Sequence, residues 1–220
     1  MKGSAMVLIP AGEFLMGSPE GEGHDDEHPR RKVHLEAFRM DEHPVSVEQY
    51  REFCQSAGRT FPKQPDWSAD DQPVVSVSWD DAAAFAAWAG KRLPTEAEWE
   101  KAARGGTSTT HPFGDESLLG EYAWFRDNSD GRTHPVSQKR PNPYGLFDMQ
   151  GNVWEWTADW YGAQYYAVSP ERCPKGPATG EARVARGGSW KLEAVLCRPA
   201  ARNFLRPELC GLNLGLRCAL

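Results

Sequence analysis

Short apolar runs separated by turn residues dominate the hydrophobic pattern of this chain, and few stretches hold one period for long. Met6-Val-Leu-Ile-Pro10 and Glu13-Phe-Leu-Met16 are bounded by Pro and Gly and too short for helices, so they read as two strands forming a hairpin around Ala11-Gly12. Residues 17–31 are acidic and rich in turn formers, which predicts a surface loop, whereas 32–40 alternate apolar and polar with the period of a strand. Ser46-Val-Glu-Gln49 has the form of a capping box, and Val47, Tyr50 and Phe53 follow at three-residue spacing, which predicts a helix over 47–56. Asp80 and Asp81 suit the N-terminus of a second helix, whose strong formers over 82–89 put Phe85 and Trp88 on one face before Gly90. Thr95-Glu-Ala-Glu98 is another capping box, opening a short helix through Ala103 that stops at Gly105-Gly106. Residues 107–146 are irregular, and 152–157, 182–185 and 214–220 read as short strands between turns. No internal repeat or low-complexity linker divides the chain. The expectation is one α+β domain over residues 1–220, with two main helices beside short twisted antiparallel sheets and many loops.

Nine Trp, 21 Gly and 17 Pro strengthen the picture of a loop-rich domain held by aromatic packing. With 25 Lys and Arg against 31 Asp and Glu, and no basic block, nucleic-acid binding is not expected. No apolar run approaches the roughly 20 residues of a membrane span. Met1-Lys2-Gly3-Ser4 leads straight into the first strand-like run without the apolar region of a signal peptide, so a soluble cytoplasmic protein is expected. The five cysteines are odd in number and irregular in spacing, without a C-x-x-C pair, and indicate neither a disulfide framework nor a zinc knuckle.

Four longer phrases carry more: Met6-Val-Leu-Ile-Pro-Ala-Gly-Glu-Phe-Leu-Met-Gly-Ser18, Lys91-Arg-Leu-Pro-Thr-Glu-Ala-Glu-Trp-Glu100, Tyr144-Gly-Leu-Phe-Asp-Met-Gln-Gly-Asn-Val-Trp-Glu-Trp156 and Arg186-Gly-Gly-Ser-Trp190. In this order they resemble the successive signatures of the formylglycine-generating enzyme, or sulfatase-modifying factor, family, over residues 6–219. The resemblance implies a C-type-lectin-like fold, in agreement with the α+β pattern. It does not settle function, because this scaffold serves oxidases, iron-dependent sulfur-transfer enzymes and binding proteins.

The oxidases of this family use two copper-binding cysteines five residues apart, shortly after the Gly-Gly-Ser phrase, since soft Cu(I) prefers thiolates. Here Leu192 stands three residues after Ser189, the first cysteine is Cys197, and Cys210 follows thirteen later, with Pro199 where some members carry a structural cysteine. The catalytic pair is therefore expected to be missing and copper is not expected, although a rearranged Cys197 and Cys210 pair is a second reading. Cys218 matches a family cysteine whose usual partner position holds Ala103, which implies a free buried thiol. The ergothioneine-type sulfoxide synthases hold iron on an H-x-x-x-H-x-E element. His24 and His28 have its first spacing, but Arg30 replaces the Glu and the flanking Gly21, Gly23 and Pro29 oppose a helix, so a solvated loop is expected. In calcium-binding relatives, the Gly-Asn-x-Trp-Glu-Trp loop supplies oxygen ligands. By position these would be the side chains of Asp148 and Glu155 and the carbonyls of Gly151 and Val153, a hard donor set suited to a structural Ca2+. The competing reading has both carboxylates bonding backbone amides of the loop.

Between Trp190 and Leu214, apolar residues fall without helical or strand period. This frame resembles the variable region of diversity-generating-retroelement variable proteins, which display a diversified surface on the same scaffold. Adenine mutagenesis of AAC codons yields Leu, Val, Phe, Cys, Gly, Ala, Asn and Arg but never Lys, Glu, Trp, Met or Gln, so Lys191, Glu193 and Glu208 would be fixed. Residues 190–217 are thus the candidate ligand-binding region, with Leu192, Val195, Leu196, Cys197, Asn203, Phe204, Leu205, Cys210, Gly211, Leu212 and Asn213 facing an unknown protein or surface ligand. An ordinary non-catalytic family member and a formylglycine-generating-enzyme-like oxidoreductase acting on a cysteine or sulfur substrate stay open beside that reading.

Overall fold

In the computed structural model, which describes residues 5–220, the first two strands do not pair with each other. β1 (Met6–Ile9) lies antiparallel to β4 (Phe38–Asp41), and β2 (Gly12–Met16) antiparallel to β3 (Arg31–Leu35). Met6 faces Asp41, Ile9 faces Phe38, Gly12 faces Leu35 and Met16 faces Arg31, so the two ribbons share one register and form a single long hairpin broken in the middle. Pro10 supplies no N–H to the ladder, and Gly12 takes a φ of +132°, which together explain the break. The expected Ala11-Gly12 hairpin is therefore a kink within one strand, and the single strand expected over 32–40 is interrupted at Glu36-Ala37. The acidic segment expected as a surface loop closes the hairpin, but it carries a 3-10 turn at Asp25–Glu27 and buries Glu27 completely. Met1 to Ser4 lie outside the described residues.

α1 (Val47–Ala57), α2 (Trp79–Trp88) and α3 (Glu96–Arg104) each open on a reciprocal capping box. Ser46 Oγ accepts from Gln49 N at 3.3 Å and Ser46 N donates to Gln49 Oε1 at 2.9 Å. Thr95 N donates to Glu98 Oε2 at 2.8 Å, and Ser78 and Asp81 repeat the exchange. Each box satisfies N–H groups that a helix start otherwise leaves unpaired. α1 and α3 stop at Gly58 and Gly105, both left-handed. Residues 107–146 hold only a short α4 (Leu119–Tyr122) and a 3-10 turn, as their irregular pattern predicts.

The central sheet runs β7-β6-β5-β8, built from β5 (Trp154–Trp160), β6 (Arg183–Arg186), β7 (Arg202–Leu205) and β8 (Leu214–Leu216), with α5 (Tyr165–Val168) between β5 and β6. β5 and β8 are parallel, the exception to the antiparallel sheets expected. β7 lies at an edge of the sheet, and the N–H of Phe204 donates to the Asn203 side chain at 2.9 Å. Tyr50, Phe53 and Phe85 from α1 and α2 pack with Trp154, Trp156, Leu214 and Leu216 into one core cluster. Trp99 of α3 joins Ile9, Val33, Met40 and Leu146 in a second under the ribbon. Among the described residues no helix is long and apolar enough to cross a membrane.

Candidate ligand-binding site

The chain leaves β6 at Arg186, rejoins the sheet at its edge as β7 and ends in it as β8, and the intervening segment is fastened by buried ions. Gly187 and Gly188 have φ of +106° and +77°. A Cβ at Gly188 would stand 2.7 Å from the Cys197 sulfur, so glycine is what lets the segment fold back on itself. Arg186 Nη2 pairs with Glu100, and its Nη1 donates to the carbonyl of Ala200 at 2.7 Å. Arg202 holds Glu96 with two bonds, at 2.7 and 2.9 Å, and Arg198 holds Glu27 with two more, at 2.8 and 2.9 Å. Arg104 completes the set on Glu100 at 2.8 Å. Burial raises the pKa of Glu27, but the hydrogen bonds from Arg198 and Ser18 outweigh it and bring the carboxyl down to about 2. Glu96 is held low in the same way by the charges of Arg202 and Arg186. Burial and the neighbouring Glu96 push Asp159 far up, and its carboxylate accepts from Glu96 N at 2.8 Å. Planar guanidinium forks on carboxylates fix direction as well as distance.

Trp190 Nε1 donates to Leu212 O at 3.1 Å, and Asn213 Nδ2 to Ser189 Oγ at 2.9 Å, so the two ends of the segment are clipped together. Between them opens a cleft of about 320 Å3, floored by Trp154 of β5 and Leu214 of β8. Leu192, Leu196, Asn203, Leu205, Gly211 and Asn213 line it, together with Lys191 and Arg202. Phe204, between two cleft residues of β7, projects the other way, half exposed, and stacks on Tyr161 at 3.9 Å.

The eleven positions expected to face a ligand therefore divide. Six line the cleft; Val195, Cys210 and Leu212 are exposed outside its lining and Phe204 is exposed on the other face of β7, the three apolar ones by 47%, 53% and 50% in the order Val195, Leu212, Phe204. Leu192, Leu196 and Leu205 are only partly buried, and their inner sides pack on the sheet core. Cys197 corrects the expectation: it is fully buried behind Gly188, where it is screened from any ligand, and burial pushes its thiol up to about 12. Cys218 is buried and free, as the family pattern implies. The segment is also more regular than its apolar spacing suggests, because β7 lies within it. For Arg202 the sequence signal is the four-residue spacing of Glu96 and Glu100, which puts two acids on one face of α3 and points to buried cations opposite; Arg198, paired with Glu27, has no such signal.

The loop of Asp148, Gly151, Val153 and Glu155 divides similarly. Glu155 accepts from Arg217 on both oxygens, at 2.9 and 3.0 Å, and from Trp99 Nε1 at 2.7 Å, so its charge is already matched. Asp148 has only the N–H of Ser137 at 2.8 Å and a long contact from Asn152 at 3.4 Å, and burial raises its pKa. Of the two, Asp148 is the carboxylate that no cationic side chain pairs. Among the described residues no cluster of three or more His, Cys, Asp or Glu could hold a metal, His24 and His28 included.

A model of the sulfatase-modifying factor enzyme 1-like domain matches residues 1–220. The chain is 37% identical over 276 residues to the formylglycine-generating enzyme of Streptomyces coelicolor, with 97% of this chain and 88% of that protein covered. Among solved structures, PvdO from Pseudomonas aeruginosa is similar with a TM-score of 0.89 at 30% identity, over 97% of this chain and 93% of that one. Treponema denticola variable protein 1 is similar with a TM-score of 0.85 at 29% identity, over 97% and 94%.

Proposed function

This chain belongs to the sulfatase-modifying factor family, and from that premise we propose that it is a non-catalytic ligand-binding protein of the diversity-generating-retroelement type, with residues 190–217 as its contact surface. The observation that carries the reading is the union of a largely apolar cleft and exposed Val195 and Leu212 with a backbone fastened by Arg186, Arg198 and Arg202. Buried anchors hold the frame while outward side chains change, and a rigid frame lowers the entropy cost of binding. The likeness to the Treponema denticola variable protein supports the same reading. Five unbridged cysteines suit a reducing compartment, and we assign the protein to the cytoplasm.

The Streptomyces coelicolor relative bears an enzyme's name, so the second reading is an oxidoreductase of cysteine or sulfur substrates. The resemblance implies a cysteine three residues after Ser189, where this chain has Leu192, and burial pushes the Cys197 thiol up to about 12, so both weigh toward the binding reading. No oxidation of a sulfatase-type cysteine peptide is expected, with or without Cu(I), in an oxygen-consumption and mass-spectrometric assay; copper-dependent turnover abolished by Cys197→Ser would overturn the binding reading. Sequencing the neighbouring DNA tests it from the other side: a reverse transcriptase and a near-copy of codons 190 to 217 differing at adenines are expected.

Calcium belongs to the proposal as a structural ion, held by Asp148 with the carbonyls of Gly151 and Val153, while Glu155 braces the loop through Arg217. An ion bound only by the folded state stabilises it by mass action, about 2.7 kcal/mol at a hundredfold excess over Kd. Excess EDTA should therefore lower Tm, and calcium restore it; identical melting curves and a metal-free elemental analysis would remove calcium from the reading.

A further inference from the structure

Six cationic side chains are buried among the described residues, and five of them, Arg104, Arg186, Arg198, Arg202 and Arg217, each face a carboxylate. Lys101 does not. It is 3% exposed, and its Nζ donates to the carbonyl of Gly12 at 2.9 Å, while the nearby Glu36 carboxylate is taken by Arg172 at 2.9 Å. An ammonium has three donors, and this one has a single neutral acceptor and no carboxylate within ion-pair distance, Cys173 and Glu36 acting on it only from farther off. Burial correspondingly draws its pKa down.

Lys101 lines a cleft of about 290 Å3 between β2 and the turn that follows α3. Phe14 and Tyr144 are half-buried rings in its wall, and Leu15 adds apolar surface. Thr107 and Ser108 bring hydroxyls to the same cleft, in a turn that Arg30 fastens through the Ser108 carbonyl. Arg104 also lines the cleft, but its charge is spent on Glu100. The cleft is at the small end of the range for ligand sites; Glu13 and Lys32, 3.9 Å apart and exposed, balance each other at its rim, which leaves Lys101 as the buried cation without a paired carboxylate in its lining.

We propose that this cleft binds a small monocarboxylate with a planar apolar body, its carboxylate on Lys101 and its body against Phe14 and Tyr144. The anion takes the donors that the Gly12 carbonyl leaves free and pairs the ammonium at contact distance, and the charge-assisted bond sets orientation. None of the lining residues belongs to the 190–217 segment, so the site stands or falls independently of the contact surface proposed above.

Isothermal titration at pH 7 with sodium phenylacetate, and with 2-phenylethanol as the neutral analogue, tests the site in wild type, Lys101→Met and Leu15→Trp. Saturable binding of phenylacetate is expected, weaker by about tenfold or more in Lys101→Met, with the alcohol weaker by a similar factor. Leu15→Trp keeps the ammonium but fills the cleft, so it should abolish binding, and it carries the test should Lys101→Met fail to fold. Three results would each overturn the proposal: no saturable binding to wild type, equal affinity for acid and alcohol, or either variant binding as wild type does.

Discussion

Glu100→Ala is expected to destabilise the protein by about 3–5 kcal/mol, the cost of leaving a buried charge without its partner. Glu100 receives Arg104 on one oxygen and Arg186 on the other, and all three side chains are almost fully buried. Removing the carboxylate strands Arg104 and leaves Arg186 with Glu96 alone, at 3.7 Å. With total stability of ordinary domains at about 5–15 kcal/mol, that loss takes a large share. The exposed pair of Arg126 and Glu193, 2.8 Å apart, is the control, and Arg126→Ala should cost about 0–1 kcal/mol. Urea denaturation of the three proteins at pH 7 checks both numbers. If Glu100→Ala lay as close to wild type as Arg126→Ala, the idea that buried ions fasten the segment would be lost.

Two triple exchanges separate contact residues from core residues in the 190–217 segment. Leu192, Leu196 and Leu205 replaced together by Asn should unfold the domain, because each packs on the cluster around Trp154 and Trp156. Large-to-small and polar changes at such sites cost about 2–5 kcal/mol each when burial is complete, and about half of that here. Val195, Phe204 and Leu212 replaced together by Ser should leave the fold intact. Only the stacking of Phe204 on Tyr161 is lost, worth about 0.5–1.5 kcal/mol. Thermal melts of both variants decide. Unfolding of the second variant would mean that the exposed apolar side chains support the frame, and the contact-surface reading would fail.

The sequence pattern yields the three helices because their signals are local: Ser46 with Gln49 and Thr95 with Glu98 lie within one turn, and each pair forms the bonds its spacing predicts. The outline of the contact segment is legible for a similar reason, since its two fixed ends are contiguous phrases. Strand pairing is not local. Met16 meets Arg31 across the acidic loop, and nothing near Ala11-Gly12 shows that β1 will prefer β4 to its own neighbour. The ion sockets are less legible still. Arg202 finds Glu96 more than a hundred residues away, so the spaced acids of α3 announce a buried cation without naming it, and Arg198 with Glu27, farther apart still, leaves no periodic trace. Cys197 was misplaced on the surface for the same cause, because its burial follows from the turn at Gly188 rather than from its own neighbours.

The hydrogen bond from the Phe204 amide to the Asn203 side chain bears on how the molecule behaves in company. β7 ends the sheet, and an uncovered strand end invites the same strand of another copy to continue it. By occupying that amide with its own oxygen, Asn203 closes the point at which a stack of copies would start. If Asn203 belongs to the contact surface proposed above, one side chain both faces the ligand and guards the edge, and a replacement that leaves the Phe204 amide open would change solubility along with binding.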